Sequence, residues 1–232
     1  MKAMLLAAGE GRRMRPLTLA TPKPLLPLAG RPILEHTIAK LAAAGITELV
    51  INVSWLGEQL IDYFGSGEQL GVTIEWSRER QPLETAGAVI NALELLGDAP
   101  FLLINGDVWS DYPLAVLAAR GAALAASDQL ADLVMVDNPI HHPSGDFALR
   151  DGRLAVADDG RLTFSGISLW RPEPFASAAV VAGEPLALRD LLLPLLAAGR
   201  VNGEHWGGSW CDVGTPQRYA ALDAELNAAR LA

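Results

Sequence analysis

Several kinds of protein are excluded by what this 232-residue sequence has little of. It contains a single cysteine, Cys211, so no internal disulfide framework is possible. Acidic residues outnumber basic ones by 27 to 18, and the net charge of −9 argues against nucleic acid or a membrane surface as the main partner. The two longest apolar segments are interrupted by Arg120 and Arg189, so a transmembrane helix is not expected. These features predict a cytoplasmic protein.

The common signatures for phosphate and zinc binding are also absent from the sequence. The pattern G-x-x-x-x-G-K-[ST] occurs nowhere, and Met14 stands where a dinucleotide-binding fingerprint has its third glycine. The four histidines and one cysteine lack the spacing of a zinc site. A nucleotide would therefore have to be bound by another kind of loop.

The segment 4–28, MLLAAGEGRRMRPLTLATPKPLLPL, has the features of such a loop. Gly9 and Gly11 remove side chains where backbone N–H groups approach a phosphate, and prolines on both sides of Lys23 fix its direction. A run of charge is more often a solvated loop, but the glycines and prolines favour an anionic ligand here. The candidate nucleotide-binding residues of this loop are Ala8, Gly9, Gly11, Arg12, Arg13, Arg15 and Lys23.

Strand and helix patterns alternate along the whole chain, which predicts a single α/β domain over residues 1–232 with a doubly wound, mainly parallel (mixed) sheet. A β-hairpin is expected over 146–156, with its turn at Asp151 and Gly152. The predicted strands are 2–7, 47–53, 72–76, 100–105, 132–137, 162–169 and 208–212. The predicted helices are 32–44, 55–64, 85–96, 186–198 and 215–230.

Two aspartates follow apolar runs and are candidates for the chemistry. The run FLLINGD places Asp107 at the carboxyl end of a buried strand, where open α/β sheets bind ligands. Asn105 and Gly106 are also typical of a hairpin turn, but the residues after them do not alternate as a returning strand would. Asp212 precedes a helix start, and taken alone it is an ordinary residue at the end of a strand.

Residues 5–27 resemble the signature of the sugar-1-phosphate nucleotidylyltransferases, also called nucleotide-sugar pyrophosphorylases, and match it nearly throughout. The resemblance implies an enzyme with a Rossmann-like nucleotidyltransferase fold. It also implies a Mg²⁺ cofactor held by Asp107 and Asp212, and carboxylate oxygens suit this ion. Members of the family often carry a C-terminal β-helix of hexapeptide repeats, and none is expected in a chain of this length.

The same resemblance implies the reaction. An oxygen of a sugar-1-phosphate attacks the α-phosphorus of a nucleoside triphosphate and expels pyrophosphate, and catalysis consists mostly of positioning and electrostatic stabilisation. Arg15 would contact the β- and γ-phosphates, Lys23 the α-phosphate and the incoming phosphate, and Asp107 the metal. The expected partners are these two small molecules, with neither nucleic acid nor a membrane.

The segment PLETAGA, residues 82–88, resembles the family's turn for recognising the base. In this interpretation Thr85 caps the following helix and Gly87 lets the base lie against the backbone. Glu84 departs from the common glycine, so this segment does not identify the base.

The sugar side, over 136–147 and 163–170, resembles most the bacterial branch that transfers uridylyl groups to N-acetylmuramate α-1-phosphate in cell-wall recycling. Neither segment contains a lysine or arginine that would bind the lactyl carboxylate of this sugar. His141 and His142 are expected in a solvated loop. The candidate sugar-binding residues are Asn105, Asp146, Ser165 and Gly166, with Trp109 or Trp206 as a platform for the ring.

Three alternatives stay open at the level of sequence. Within the family, the chain could be a glucose-1-phosphate uridylyl- or thymidylyltransferase, or a mannose-1-phosphate guanylyltransferase. Outside it, the chain could be a regulator that binds a nucleotide sugar without catalysis, although Lys23, Asp107 and Asp212 are all present. A Ser-His-Asp hydrolase using Ser144, His142 and Asp146 is the weakest alternative, because no G-x-S-x-G elbow accompanies them.

Overall fold

A nine-stranded sheet runs through the protein, and its computed structural model describes residues 1–231. The strands are β1 (Lys2–Leu6), β2 (Pro27–Leu28), β3 (Arg31–Pro32), β4 (Glu48–Val53), β5 (Thr73–Arg78), β6 (Phe101–Asn105), β7 (Val108–Ser110), β8 (Ala131–Val136), β9 (Phe147–Arg150), β10 (Arg153–Ala155), β11 (Arg161–Trp170), β12 (Val201–Trp206) and β13 (Trp210–Asp212). The helices are α1 (Ile33–Ala43), α2 (Gly57–Phe64), α3 (Glu84–Asn91), α4 (Leu93–Leu96), α5 (Leu114–Ala119), α6 (Gly121–Ala125), α7 (Glu173–Ala176), α8 (Leu188–Ala197) and α9 (Pro216–Leu231).

The sheet consists of a parallel part and a mixed part. Strands β5, β4, β1 and β6 lie side by side and all run parallel. Beyond β6 the order continues β11-β8-β12-β10-β9, in which only the β8–β12 pair is parallel. Two small ribbons, β2–β3 and β7–β13, lie outside this sheet. The predicted α/β fold with a mixed sheet is confirmed.

Helices cover both faces of the sheet, as a doubly wound fold requires. Successive residues of β1 alternate between two cores: Ala3 and Leu5 pack with α1, α2, α5 and α6, whereas Met4 packs with α3, α4, α7 and α8. Burial of β1 on both sides explains why its sequence is apolar throughout.

A third, smaller core ties the glycine-rich loop to the end of the chain. Met14 is fully buried against Val213 and Leu222, which belong to the segment after β13 and to α9. The side chain that replaces the third glycine of a dinucleotide fingerprint therefore anchors the loop. This packing brings the first and last parts of the chain together at one edge of the sheet.

Most predicted elements are present, with bounds shifted by at most two residues. The hairpin over 146–156 is confirmed, since β9 pairs antiparallel with β10 and both Asp151 and Gly152 have positive φ angles, of 48° and 75°. The segment after Asn105 and Gly106 forms β7, which pairs with β13 instead of returning along β6. No helix among residues 1–231 is long and apolar enough to cross a membrane.

Some elements were not predicted. Strand β12 was missed because its sequence, VNGEHW, is too polar to resemble a buried strand, and α5 and α6 were not assigned. The helix expected over 85–96 divides at Ala92 into α3 and α4. The prediction that Thr85 caps it is wrong, because α3 starts one residue earlier, after Leu83, and no side chain caps it.

Candidate active site

A cavity of about 360 Å³ opens at the carboxyl ends of β1 and β6. Its walls are the loop after β1 and the turn that leads into α3. This is the edge at which open α/β sheets bind ligands. Among the predicted site residues, the cavity brings together Ala8, Gly9, Gly11, Arg12, Arg13, Lys23, Thr85, Asn105 and Asp107. Arg15, Gly87, Asp146, Ser165, Gly166 and Asp212 do not line it.

The glycine-rich loop is folded back tightly on itself at Gly11. This residue has a φ of +61°, and a Cβ there would lie 2.9 Å from Cγ2 of Thr18. The hydroxyl of Thr18 donates a hydrogen bond of 2.8 Å to the Gly11 carbonyl. Both the positive φ and the close contact require glycine at this position. The turn leaves the loop's backbone at the mouth of the cavity.

The three arginines of this loop have different surroundings. Arg12 is exposed and bonds through Nε to Glu10 at 2.7 Å, which lowers the pKa of that carboxyl. Arg15 lies outside the cavity, with Nη2 3.6 Å from the same carboxylate. Arg13 lines the cavity and forms no ion pair within residues 1–231. Of the three, Arg13 is therefore the guanidinium that is free to meet an anion in the cavity.

Lys23 and Asp107 form an ion pair at the floor of the cavity. The Lys23 Nζ lies 2.6 Å from Oδ2 of Asp107, and the lysine side chain is only 9% exposed, compared with 38% for the aspartate. The short 3₁₀ helix Lys23–Leu25, entered from Pro22, sets the direction of the lysine. An ammonium group held in this way has limited access to water, which strengthens its interaction with a ligand charge.

Asp212 lies on the strand that pairs with the segment after Asp107. In the β7–β13 ribbon, Asp212 is opposite Val108, and the Val213 N–H donates to the Asp107 carbonyl at 2.8 Å. The Asp212 carboxylate has its own cationic partner, Arg218, whose Nη1 is 2.6 Å from Oδ1. The two predicted metal ligands are thus brought together by neighbouring strands, although only Asp107 lines the cavity.

These two carboxylates fit a hard cation that also takes oxygens from its substrates. No cluster of three or more acidic, histidine or cysteine side chains occurs in the described part of the chain, so protein groups alone would not complete an octahedral shell. Phosphate and water oxygens supply the remaining ligands at sites of this kind.

The motif Asn105–Gly106 is explained by close packing. A Cβ on Gly106 would lie 2.4 Å from the Leu6 carbonyl oxygen, to which the Gly106 N–H donates a bond of 2.9 Å. Gly166 has a φ of +79°, at a bulge of β11, and a Cβ there would be 2.7 Å from Nδ2 of Asn105. Gly166 therefore makes room for the Asn105 side chain, which reaches the cavity.

A buried polar network under the cavity was not predicted. Asn52 accepts a bond of 2.8 Å from the Ala7 N–H and donates one of 2.7 Å to Glu79, whose other oxygen accepts from the Leu83 N–H at 3.1 Å. Burial raises the pKa of Glu79, and the bonds from Asn52 and Leu83 oppose that shift. The network joins the two walls of the cavity. Its only signals in the sequence are polar residues at the ends of β4 and β5.

The first turn of α3 contributes Thr85 to the cavity, while Gly87 faces another part of the protein. A Cβ on Gly87 would lie 2.6 Å from the Glu184 carbonyl oxygen, and the Gly87 N–H donates to the Leu186 carbonyl at 3.1 Å. Close packing against this segment accounts for the glycine.

Two of the candidate sugar residues, Asp146 and Ser165, do not line the cavity, and their polar groups bond within the protein. Asp146 accepts from the Phe164 N–H at 2.8 Å and contacts His142 Nε2 at 3.1 Å. Ser165 is 1% exposed, and its hydroxyl oxygen accepts from the Ile167 N–H. In this arrangement both residues shape the bulge of β11.

The tryptophans proposed as a sugar platform do not line the cavity. Trp206 packs edge-on against Tyr112 and donates to Asp111, and Lys40 lies over the Trp109 ring. Both rings take part in packing around the β7–β13 ribbon.

The two histidines are not simply solvated, as the sequence had suggested. Each side chain is about two-fifths exposed, and each Nε2 lies 3.1 Å from a carboxylate oxygen: His141 from Asp212 and His142 from Asp146. The loop that carries them is therefore held by contacts with Asp212 and Asp146. No pattern in the sequence indicates the His141–Asp212 contact, because the two residues are far apart in the chain.

Comparisons with known proteins identify the relatives of this chain. Residues 2–145 match the model of the family described as nucleotidyl transferase. Over 228 residues the chain is 45% identical to N-acetylmuramate alpha-1-phosphate uridylyltransferase of Neisseria meningitidis serogroup B, covering 97% of each chain. It is 34% identical to the protein of the same name from Caulobacter vibrioides, over 97% of this chain and 96% of the relative. A solved structure of UDP-glucose pyrophosphorylase with UDP-glucose has the same fold, with a TM-score of 0.79 at 18% identity over 99% of each chain.

Proposed function

The chain belongs to the nucleotidyl transferase family, and from that premise we propose that it transfers a uridylyl group from UTP to N-acetylmuramate α-1-phosphate. The products are UDP-N-acetylmuramate and pyrophosphate. The proposal of base and sugar is supported by the two relatives that carry this name and match nearly the full length of the chain.

The observation that carries the proposed chemistry is the ion pair between the buried Lys23 and the partly exposed Asp107, which both line the cavity with the glycine-rich loop. Two polyanions must approach each other in this reaction, so the site needs fixed positive charge near the α-phosphorus. We assign this role to Lys23, and the low exposure of its side chain, 9%, supports the assignment. Arg13 lines the same cavity and is the better candidate for the β- and γ-phosphates than Arg15, which points to Glu10.

The reaction requires no general base from the protein. A phosphate oxygen of the sugar phosphate is already ionised at neutral pH and forms a new bond to the α-phosphorus. The bond from that phosphorus to the bridging oxygen of the β-phosphate breaks, and pyrophosphate takes the electron pair. The residues bind and orient the two phosphates in line and stabilise the charge on the oxygens in the transition state.

Asp107 and Asp212 are the residues that would hold a Mg²⁺ ion, together with oxygens of the substrates. Such an ion supplies positive charge that offsets the repulsion between the two substrates. The cationic partners of these carboxylates, Lys23 and Arg218, keep them in place before the substrates bind.

We further propose that residues 1–232 act as one nucleotidyltransferase domain in the cytoplasm, where UTP is available, and that the reaction serves the recycling of cell-wall sugars. The protein's partners in this proposal are its two substrates. The assignment to recycling rests on the acceptor, since N-acetylmuramate is a sugar of bacterial peptidoglycan.

The test is a grid of pyrophosphate-release assays with Mg²⁺. UTP, dTTP, GTP and CTP are each combined with the 1-phosphates of N-acetylmuramate, N-acetylglucosamine, glucose and mannose. We expect selective turnover of UTP with N-acetylmuramate α-1-phosphate, and loss of turnover when the metal is chelated. Turnover of another pair would replace the substrates, and no turnover of any pair would favour a binding protein without catalysis.

A further inference from the structure

A cationic partner for the sugar's carboxylate is missing from the predicted sugar segments, but Arg218 lies beside them in the structure. Arg218 is in the first turn of α9, and its Nη1 contacts both Asp212 Oδ1, at 2.6 Å, and His141 Nε2. The guanidinium is therefore held between the proposed metal ligand and the histidine loop.

The other edge of the Arg218 guanidinium has no partner. Nε is buried without a hydrogen bond, and Nη2 forms none with residues 1–231. The Nε and Nη2 groups of an arginine point the same way and bind both oxygens of a carboxylate at once. Both contacts of the guanidinium are made by Nη1, so the N–H groups of Nε and Nη2 remain without a partner in residues 1–231.

The Arg218 side chain lines a second pocket, with Trp109 and Cys211, and its Nη2 atom reaches the edge of the active-site cavity at Gly214. A Cβ built on Gly214, which lines the active-site cavity, would be 2.2 Å from Nη2 of Arg218 and 3.3 Å from Nη2 of Arg13. Two guanidinium groups thus approach the same glycine, and no acidic side chain is bonded to either of these Nη2 atoms in the described residues. Like charges that converge in this way favour an anion between or beside them.

We propose that Arg218 binds the carboxylate of the lactyl ether of N-acetylmuramate and so selects this sugar over N-acetylglucosamine. The inference rests on the proposed function, because only that acceptor carries the lactyl group. Arg13 reaches the site from the nucleotide loop and Arg218 from the β7–β13 side, where His141 and Asp212 lie. This placement assigns Arg13 to phosphate and Arg218 to the sugar.

Two contacts to Nη1 hold the Arg218 side chain in one orientation. Asp212 and His141 restrict the rotation of its side chain, so little conformational entropy is left to lose when a carboxylate binds. Lysine would keep the charge but would lose the paired N–H groups.

The test is calorimetric titration with UDP-N-acetylmuramate and UDP-N-acetylglucosamine, without metal, so that binding is measured apart from turnover. The wild-type chain is compared with Arg218→Gln and Arg218→Lys. Arg230→Gln removes the same charge from the far end of α9 and serves as the control. We expect Arg218→Gln to weaken UDP-N-acetylmuramate about 10- to 100-fold, the usual scale for a charged hydrogen bond. The affinity for UDP-N-acetylglucosamine should change far less, and Arg218→Lys should fall between wild type and Gln.

Three results would overturn the assignment. An equal loss for both ligands in the two Arg218 variants would mean that Arg218 acts on the shared diphosphate or only holds Asp212. Unchanged affinity for both ligands would mean that the arginine does not contact the sugar. If the wild-type chain does not bind UDP-N-acetylmuramate, that result contradicts the proposed function itself. The wild-type titration alone shows this, so the two kinds of failure are distinguishable.

Discussion

The proposed nucleotide side and the proposed sugar side of this site are built in different ways. The nucleotide side comes from one stretch of chain, the loop after β1, and from the turn before α3. The sugar side combines Asn105, the bulge at Gly166, the loop with His141, and Arg218 at the start of α9. The proposed nucleotide side can be predicted from a local sequence motif, whereas the proposed sugar side becomes visible only in the folded chain.

The sheet explains this difference. In the parallel part every strand delivers its carboxyl end to the same edge, so the loops that follow β1 and β6 meet there directly. In the mixed part neighbouring strands mostly run in opposite directions. The same edge of the sheet is therefore formed there by the bulge of β11, the β9–β10 hairpin and the separate β7–β13 ribbon. Residues distant in sequence then complete the site.

The largest expected effect is at Asp107, where the two sides meet. Asp107→Ala should abolish turnover for every substrate pair, because it removes a proposed metal ligand and leaves Lys23 without its partner. Steady-state pyrophosphate release checks this, with Asp62→Ala on the surface of α2 as the control. Turnover by Asp107→Ala at saturating Mg²⁺ comparable to wild type would remove Asp107 from the metal site.

A change confined to the nucleotide side should affect every acceptor equally. Lys23→Ala is expected to lower kcat by about 10²–10³, the usual cost of losing one preorganised charge near the reacting group. The measurement is kcat and KM for UTP with two different sugar phosphates, with Lys2→Ala at the far end of β1 as the control. An effect on KM alone would make Lys23 a binding residue.

The network beneath the nucleotide side should give a smaller effect that depends on pH. Asn52→Ala removes the amide that bonds both the Ala7 N–H and Glu79, and should cost about 1–3 kcal/mol of unfolding free energy at neutral pH. The pKa of Glu79 is already raised by burial, and losing this bond raises it further. A carboxyl with a raised pKa stabilises the fold when protonated and loses that contribution as pH rises.

The stability difference between wild type and Asn52→Ala should therefore be smaller at pH 4 than at pH 7. Chemical denaturation at both pH values measures it. A difference that is constant, or larger at pH 4, would show that Glu79 does not titrate as the buried network implies.

The smallest effect is expected at Cys211, in the ribbon beside the sugar side. Burial raises the pKa of this thiol to about 11, and the charge of Asp212 adds to the shift. Alkylation by iodoacetamide at pH 8 should be about 10²-fold slower than for a free thiol and should accelerate up to about pH 11. The chain unfolded in denaturant is the control. Rapid labelling of the folded protein at pH 8 would mean that the ribbon opens easily.

The sequence predicted the parts of the molecule that depend on local pattern. The motif that contains Gly11 and Lys23 is contiguous in the sequence, so its place in the cavity could be predicted from the sequence alone. The Asp151–Gly152 turn could be predicted for the same reason, and it has the positive φ angles that such a dipeptide favours. The prediction that Thr85 caps a helix was wrong because α3 begins one residue earlier, at Glu84. The φ angle of Glu84 is 58°, which is unusual for a residue with a side chain and could not be predicted from the sequence.

The parts that were missed depend on tertiary contacts. Asn52 and Glu79 are polar residues within or after apolar strands, and nothing in their spacing shows that they bond to each other. Arg218 lies in an ordinary first turn of a helix, and its importance appears only when Asp212, His141 and Gly214 surround it. Gly87 had a convincing local explanation, yet its position is set by the segment around Leu186.

The most direct test of a site divided between two sides is a crystal structure of the protein with UDP-N-acetylmuramate. We expect uridine between the glycine-rich loop and the turn before α3, with the sugar beside Asn105 and its carboxylate on the Nε and Nη2 edge of Arg218. A sugar bound on the nucleotide side, or a carboxylate facing solvent with Arg218 still bonded only to Asp212 and His141, would contradict it.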